Sequence, residues 1–118
     1  MSSDEPKDLP PVANRRQSNR QRVLLGGLII TRDGTRTWDC AIKDVSETGA
    51  KIRLAEGQVI PEHCVFVNLK DGIAYQVAVS WHRPPMAGLK FLETHHLQTL
   101  TDPKLQFARR LWQERRGR

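Results

Sequence analysis

Two short clusters carry the side chains best suited to chemistry. One is Arg15-Arg16-Gln17-Ser18-Asn19-Arg20. The other is Asp44-Val45-Ser46-Glu47-Thr48-Gly49. Guanidinium groups bind phosphate bidentately and stack on aromatic planes. In an extended segment Asp44 and Ser46 point to the same face. A carboxylate there can accept hydrogen bonds from a ring N–H and an amino group, the pattern on the Watson–Crick edge of guanine. The serine hydroxyl can add a polar contact, and Gly49 permits a tight turn or a positive φ. Together the clusters make a plausible site for a purine and its phosphates. Alone, each also has a plainer reading, as a solvated basic segment and as ordinary turn residues.

The charge distribution fits a compact anion better than a long polyanion. The chain has 118 residues and a net charge of +6. Residues 1–14 carry one Lys against three acids, net −2, and residues 15–22 carry four Arg and no acid. Residues 23–108 balance, with nine basic and nine acidic groups, and residues 109–118 carry five Arg and one Glu. A broad nucleic-acid binder would spread its charge over a face. The arginine-rich end, with Arg109-Arg110 and Arg115-Arg116, reads as the solvated face of a last helix, or as a dock for an acidic partner.

No catalytic or metal pattern emerges. His63-Cys64 and His95-His96 are adjacent pairs, which point apart on a strand, and no chelating spacing joins them. No Ser or Cys sits in a nucleophile elbow and no glycine-rich phosphate loop is present. The longest near-continuous apolar run, Val23 to Ile30, is far short of the ~20 residues a membrane-spanning helix needs. The N-terminus lacks the basic and apolar regions of a secretory signal. With that, Cys40 and Cys64 fit a reducing, cytoplasmic setting.

The elements that must hold these residues are strands. Val23 to Thr31 is aliphatic, interrupted by Gly26-Gly27, which implies a bulge or a close backbone approach. Thr37 to Val45 alternates, and continued alternation would put Trp38, Cys40, Ile42 and Asp44 on one face. Gly49 to Leu54 alternates again. Cys64 to Leu69, Tyr75 to Trp81 and Gly88 to Leu92 complete six strands, with Asp33-Gly34 and Asp71-Gly72 as hairpin turns and Pro84-Pro85 ending the fifth. Six short antiparallel strands with short turns predict a closed all-β barrel over about residues 20–93. Thr101-Asp102-Pro103 then starts a helix over about 102–115, with Leu105, Ala108, Leu111 and Trp112 on its apolar face. Trp38 and Trp112 read as packing residues. Residues 1–14 read as a disordered tail before one domain at 15–118.

The RxxxR of Arg16 and Arg20, followed some two dozen residues later by the (D/N)xSxxG of Asp44, Ser46 and Gly49, resembles the PilZ domain, the bacterial receptor for cyclic di-GMP. The likeness extends to Val77-Ala78-Val79-Ser80-Trp81 and Gly88-Leu89-Lys90-Phe91, and covers roughly residues 15–93. It implies a six-stranded antiparallel barrel with a C-terminal helix, and no catalysis. It implies that Arg16 and Arg20 clamp the ligand's phosphates and guanine faces, while Asp44 and Ser46 read a guanine edge. An arginine just before RxxxR, here Arg15, implies a stacked pair of cyclic di-GMP molecules. Trp81 is a further candidate for stacking, weighed against rim packing. Read as a stand-alone domain, the chain would relay the signal through a protein partner, its arginine segment ordering as ligand binds. The alternatives are a PilZ-like interaction module that binds no nucleotide, and a small barrel that binds nucleic acid through its basic ends.

Overall fold

A computed structural model describes residues 25–116 of the chain. The expected tail at 1–14, the arginines at 15, 16 and 20 and the first residues of the expected first strand lie outside the described residues. Six strands follow in order: β1 (Leu25–Ile30), β2 (Thr37–Val45), β3 (Gly49–Leu54), β4 (His63–Asn68), β5 (Ile73–Arg83) and β6 (Met86–His96). All pairings are antiparallel, and they close into a barrel in the order β1-β2-β3-β6-β5-β4. The last two strands run longer than expected. Pro84-Pro85 does not merely end β5: it forms the two-residue turn, with a cis bond, that joins β5 to β6.

Two cores explain two kinds of strand. Inside the barrel, Ile29, Trp38, Ile42, Ile52, Phe66 and Leu89 pack together among others. Tyr75 and Phe91 stack there with ring centroids 3.8 Å apart. On the opposite face of β1 and β4, Leu28, Ile30, Val65 and Val67 are buried beneath Leu105, Ala108 and Trp112. These strands have cover on both sides, so they read as continuous apolar runs. In contrast, β2 and β3 have one wet face and alternate.

The cover is a helix, α1 (Gln106–Arg116), entered through a 3-10 turn at Pro103–Leu105. It starts later than the expected residue 102, because the first turn is tightened to 3-10 geometry. Asp102 still caps that turn, accepting from the Lys104 N–H at 2.9 Å. Trp112 donates its Nε1–H to the Leu69 carbonyl at 3.0 Å and lies over Gly72. Gly72 has φ +67°, and a Cβ there would meet the indole at 2.6 Å, so both turn and packing require glycine. Phe107 packs likewise on the β1–β2 turn at Gly34.

The arginines of α1 are not simply a solvated face. Arg115 pairs with Asp39 of β2 at 2.8 Å, and the Nε of Arg109 is buried. Arg110 is exposed, and Arg109 and Arg115 are half-buried. Arg115 thus ties the helix to β2 by a surface ion pair.

Candidate functional site

Strand alternation alone would aim Asp44 and Trp81 into the barrel. Ile42 and Val79, two residues before each, do face the core. A register shift in each strand reverses this. On β2, Ile42 pairs with Ile52 but Asp44 pairs with Lys51, so one residue bulges between them. On β5, Val79 pairs with Leu89 but Trp81 pairs with Gly88, a bulge at Ser80. A bulge rotates everything after it by one face. Asp44 and Trp81 thereby emerge on the outer surface, and both are exposed. The expectation that Asp44 shares a face with Trp38, Cys40 and Ile42 is corrected by the first bulge. A carboxylate on that apolar stripe would be buried without a partner, at a cost of several kcal/mol on the order given by transfer data.

The four strands β2, β3, β6 and β5 are neighbours, so their registers align one row across the outer face: Asp44, Lys51, Gly88, Trp81. Glycine in that row forms a floor. A Cβ on Gly88 would overlap the Trp81 indole at Nε1 and Cε2, so the ring lies directly on the Gly88 backbone. The Ser80 hydroxyl donates to the Gly88 carbonyl at 3.1 Å and holds the bulge against the floor.

The β2–β3 turn closes one end. The Ser46 N–H donates to the Gly49 carbonyl at 2.8 Å. The Ser46 hydroxyl lies 3.3 Å from the N–H groups of Thr48 and Gly49, each of which donates to it. Ser46 is thus the organiser of its own turn, as serine often is. Gly49 serves by close approach, not by a positive φ: a Cβ there would overlap the Leu89 carbonyl oxygen on β6. The absent side chain lets β3 and β6 lie close, and Phe91 N–H reaches the Thr48 carbonyl at 2.9 Å. The Asp44 side chain makes no hydrogen bond to another described residue, which leaves its carboxylate able to accept from a ligand.

The result is a groove of about 270 Å³ lined by Asp44, Ser46, Gly49, Lys51, Trp81 and Gly88, among others. Four of the seven residues singled out from sequence, Asp44, Ser46, Gly49 and Trp81, meet in it, although Trp81 is over thirty positions away in the chain. Arg15, Arg16 and Arg20 lie outside the described residues. Sequence reasoning missed Lys51, Ser80 and Gly88. Only the register reveals Lys51, and the sole prior signal for a bulge was a charged residue continuing an apolar alternation.

Burial pushes the Cys40 thiol up to about 12 and the Cys64 thiol to about 11, which keeps both protonated and poor nucleophiles. Among the described residues, no group of three or more His, Cys, Asp and Glu side chains is placed to hold a metal ion. No helix there is long and apolar enough to cross a membrane.

A closed six-stranded barrel with an outward groove of carboxylate, cation, glycine floor and indole is a binding module. The comparison with known families names the module: a model of the PilZ domain matches residues 14–102, and the chain belongs to that family. PilZ domains are in general cyclic di-GMP-binding and adaptor modules, not enzymes. The match takes in the arginine segment, the β2–β3 turn and the β5–β6 hairpin. No curated protein and no solved structure matches the chain.

Proposed function

We propose that this chain is a cyclic di-GMP receptor that passes the binding event to a protein partner. The observation that carries the reading is the convergence of Asp44, Ser46, Gly49 and Trp81 on one groove outside the barrel. In this reading Asp44 accepts from the N1–H and amino group of a guanine. The Trp81 indole, seated on Gly88, stacks on a base. Ser46 and Gly49 hold the turn that presents Asp44. Arg15, Arg16 and Arg20 close over the ligand and meet its phosphates, and their ordering is the signal a partner reads.

The energetics suit a second messenger. Charge-assisted hydrogen bonds contribute about 1.5–3 kcal/mol each. Arginine over a ring adds about 0.5–2 kcal/mol. After ordering costs the sum is about −8 kcal/mol, a micromolar ligand.

Equilibrium dialysis against cyclic di-GMP tests this, with Arg20→Ala, Asp44→Asn and GTP as controls. Saturable binding, weakened at least tenfold in each variant and absent with GTP, is the expected result. Retention of full affinity in Asp44→Asn would remove the carboxylate from the account. No binding at all would leave an adaptor that acts through protein contacts alone. Affinity that falls steeply with salt and ignores the nucleotide's identity would mark a nucleic-acid binder instead.

A further inference from the structure

The row that holds Asp44 and Trp81 has a neighbour. Two residues further along each strand, the registers align Arg53 of β3, Met86 of β6 and Arg83 of β5. Side chains two apart on a strand share a face, so this second row also points outward. Arg53 and Arg83 are exposed, and Met86 is half-buried between them. Among the described residues, Lys51, Trp81, Arg83 and Met86 line a concavity of about 510 Å³ here. Lys51 and Trp81 also line the groove, so whatever fills the concavity contends with a nucleotide there. Two kinds of contact are on offer. The cations suit carboxylates. The indole and thioether suit apolar side chains and rings.

The N-terminal segment of the same chain carries both partners. Asp4, Glu5 and Asp8 supply three carboxylates, and Leu9-Pro10-Pro11 follows directly. The chain also enters the barrel at the right level. Leu25 pairs with Ile42, Ile42 with Ile52 and Ile52 with Ala87, a row flanked by Lys51 and Met86. From β1 over β2 and β3 to β6 is about 15 Å. Pro11 and Leu25 are 14 positions apart, up to about 45 Å of extended chain, so the segment reaches with slack. We infer that residues 4–11 dock in this concavity when no nucleotide is bound. The acids meet Arg83, Arg53 and Lys51, and Leu9-Pro10-Pro11 packs on Trp81 and Met86. Arg15, Arg16 and Arg20 would draw the acids alone, whereas the concavity takes the leucine and prolines as well. The segment is then a built-in competitor that raises the nucleotide concentration needed to fill the site. This inference rests on the receptor reading of the groove and adds a regulator to it.

The test compares the unaltered full chain with Asp4→Asn/Glu5→Gln/Asp8→Asn. These positions lie outside the barrel, so the fold should survive, and a thermal melt checks that it does. Without nucleotide, the Trp81 indole N–H and the Met86 methyl resonances should differ between the two proteins. The difference should vanish in the Arg53→Gln/Arg83→Gln background, which removes the docking cations. Exposed ion pairs are individually weak, but tethering raises their effective concentration. Calorimetry at low salt should therefore show the variant binding cyclic di-GMP about three- to tenfold more tightly, and the gap should close at high salt. Identical Trp81 and Met86 resonances in the two nucleotide-free proteins would overturn the docking, whether or not nucleotide binds. Tighter binding with those resonances unmoved would also overturn it, since the acids then act on Arg15, Arg16 and Arg20 instead. Moved resonances with equal affinities would overturn the competition. Moved resonances with no nucleotide bound by either protein would uphold the docking and defeat the receptor reading.

Discussion

Replacing Gly88 with alanine separates the groove from the fold. The new methyl would occupy space now held by the Trp81 indole, so one of them must move. The backbone of β6 is locked between β3 and β5, whereas Trp81 is 40% exposed and can swing outward. The indole should therefore leave. Its departure uncovers roughly 100 Å² of apolar surface, or about 2.5 kcal/mol. Alanine regains about 0.5–1 kcal/mol of backbone entropy over glycine. The net loss of stability should be about 1.5–2 kcal/mol, on the order of a 5–10 °C fall in Tm for a domain of this size. Ligand affinity should fall about tenfold, because the stacking wall is gone while Asp44 and its turn remain. Urea denaturation gives the stability, calorimetry the affinity, and the Trp81 indole N–H resonance, assigned with Trp81→Phe, reports the displacement. An unmoved resonance with unchanged affinity would refute the placement of the indole on Gly88.

Gly49→Ala should behave differently, since its methyl meets the Leu89 backbone carbonyl, which cannot rotate away. Denaturation should show a loss of about 2–3 kcal/mol, larger than for Gly88→Ala, as overpacking against a fixed backbone does. Trp112→Phe leaves the Leu69 carbonyl without its indole donor at the foot of α1. A loss of about 1–3 kcal/mol is expected in chemical denaturation, with little change in ligand affinity, because the helix covers β1 and β4 and not the groove. Alkaline pH should destabilise the fold. Burial raises the thiols of Cys40 and Cys64 from 9.0 to about 12 and about 11. Between these values the unfolded chain has released protons that the folded chain still holds. Stability is then full below pH 9 and declines as pH rises toward 11–12. Denaturation midpoints at pH 8 and pH 10.5, compared with those of Cys40→Ser/Cys64→Ser, check the sign.

The fold was largely legible because its signals are local. Asp33-Gly34 and Asp71-Gly72 mark turns whose glycines take positive φ, and the alternation of β2 and β3 gives their one-sided burial directly. The turn at Asp44–Gly49 could be recognised because its residues are contiguous. What could not be read depends on register. The bulges beside Ile42 and at Ser80 are one-residue shifts set by partner strands, and they decide which face Asp44 and Trp81 occupy. Lys51 and Gly88 gain their positions only once β3 and β6 pair. The partner of Arg115 was hidden for a similar reason: it finds Asp39 across 76 positions of chain.

The central claim is that cyclic di-GMP lies in the groove between the β2–β3 turn and Trp81. Backbone amide and indole chemical shifts, followed by NMR as the nucleotide is added, test it most directly. The account predicts that the largest changes fall on residues 44–51 and 80–90, including the Trp81 indole, with α1 little affected. Saturating changes centred on α1 and the β4–β5 turn, with the Asp44–Gly49 turn unmoved, would contradict it.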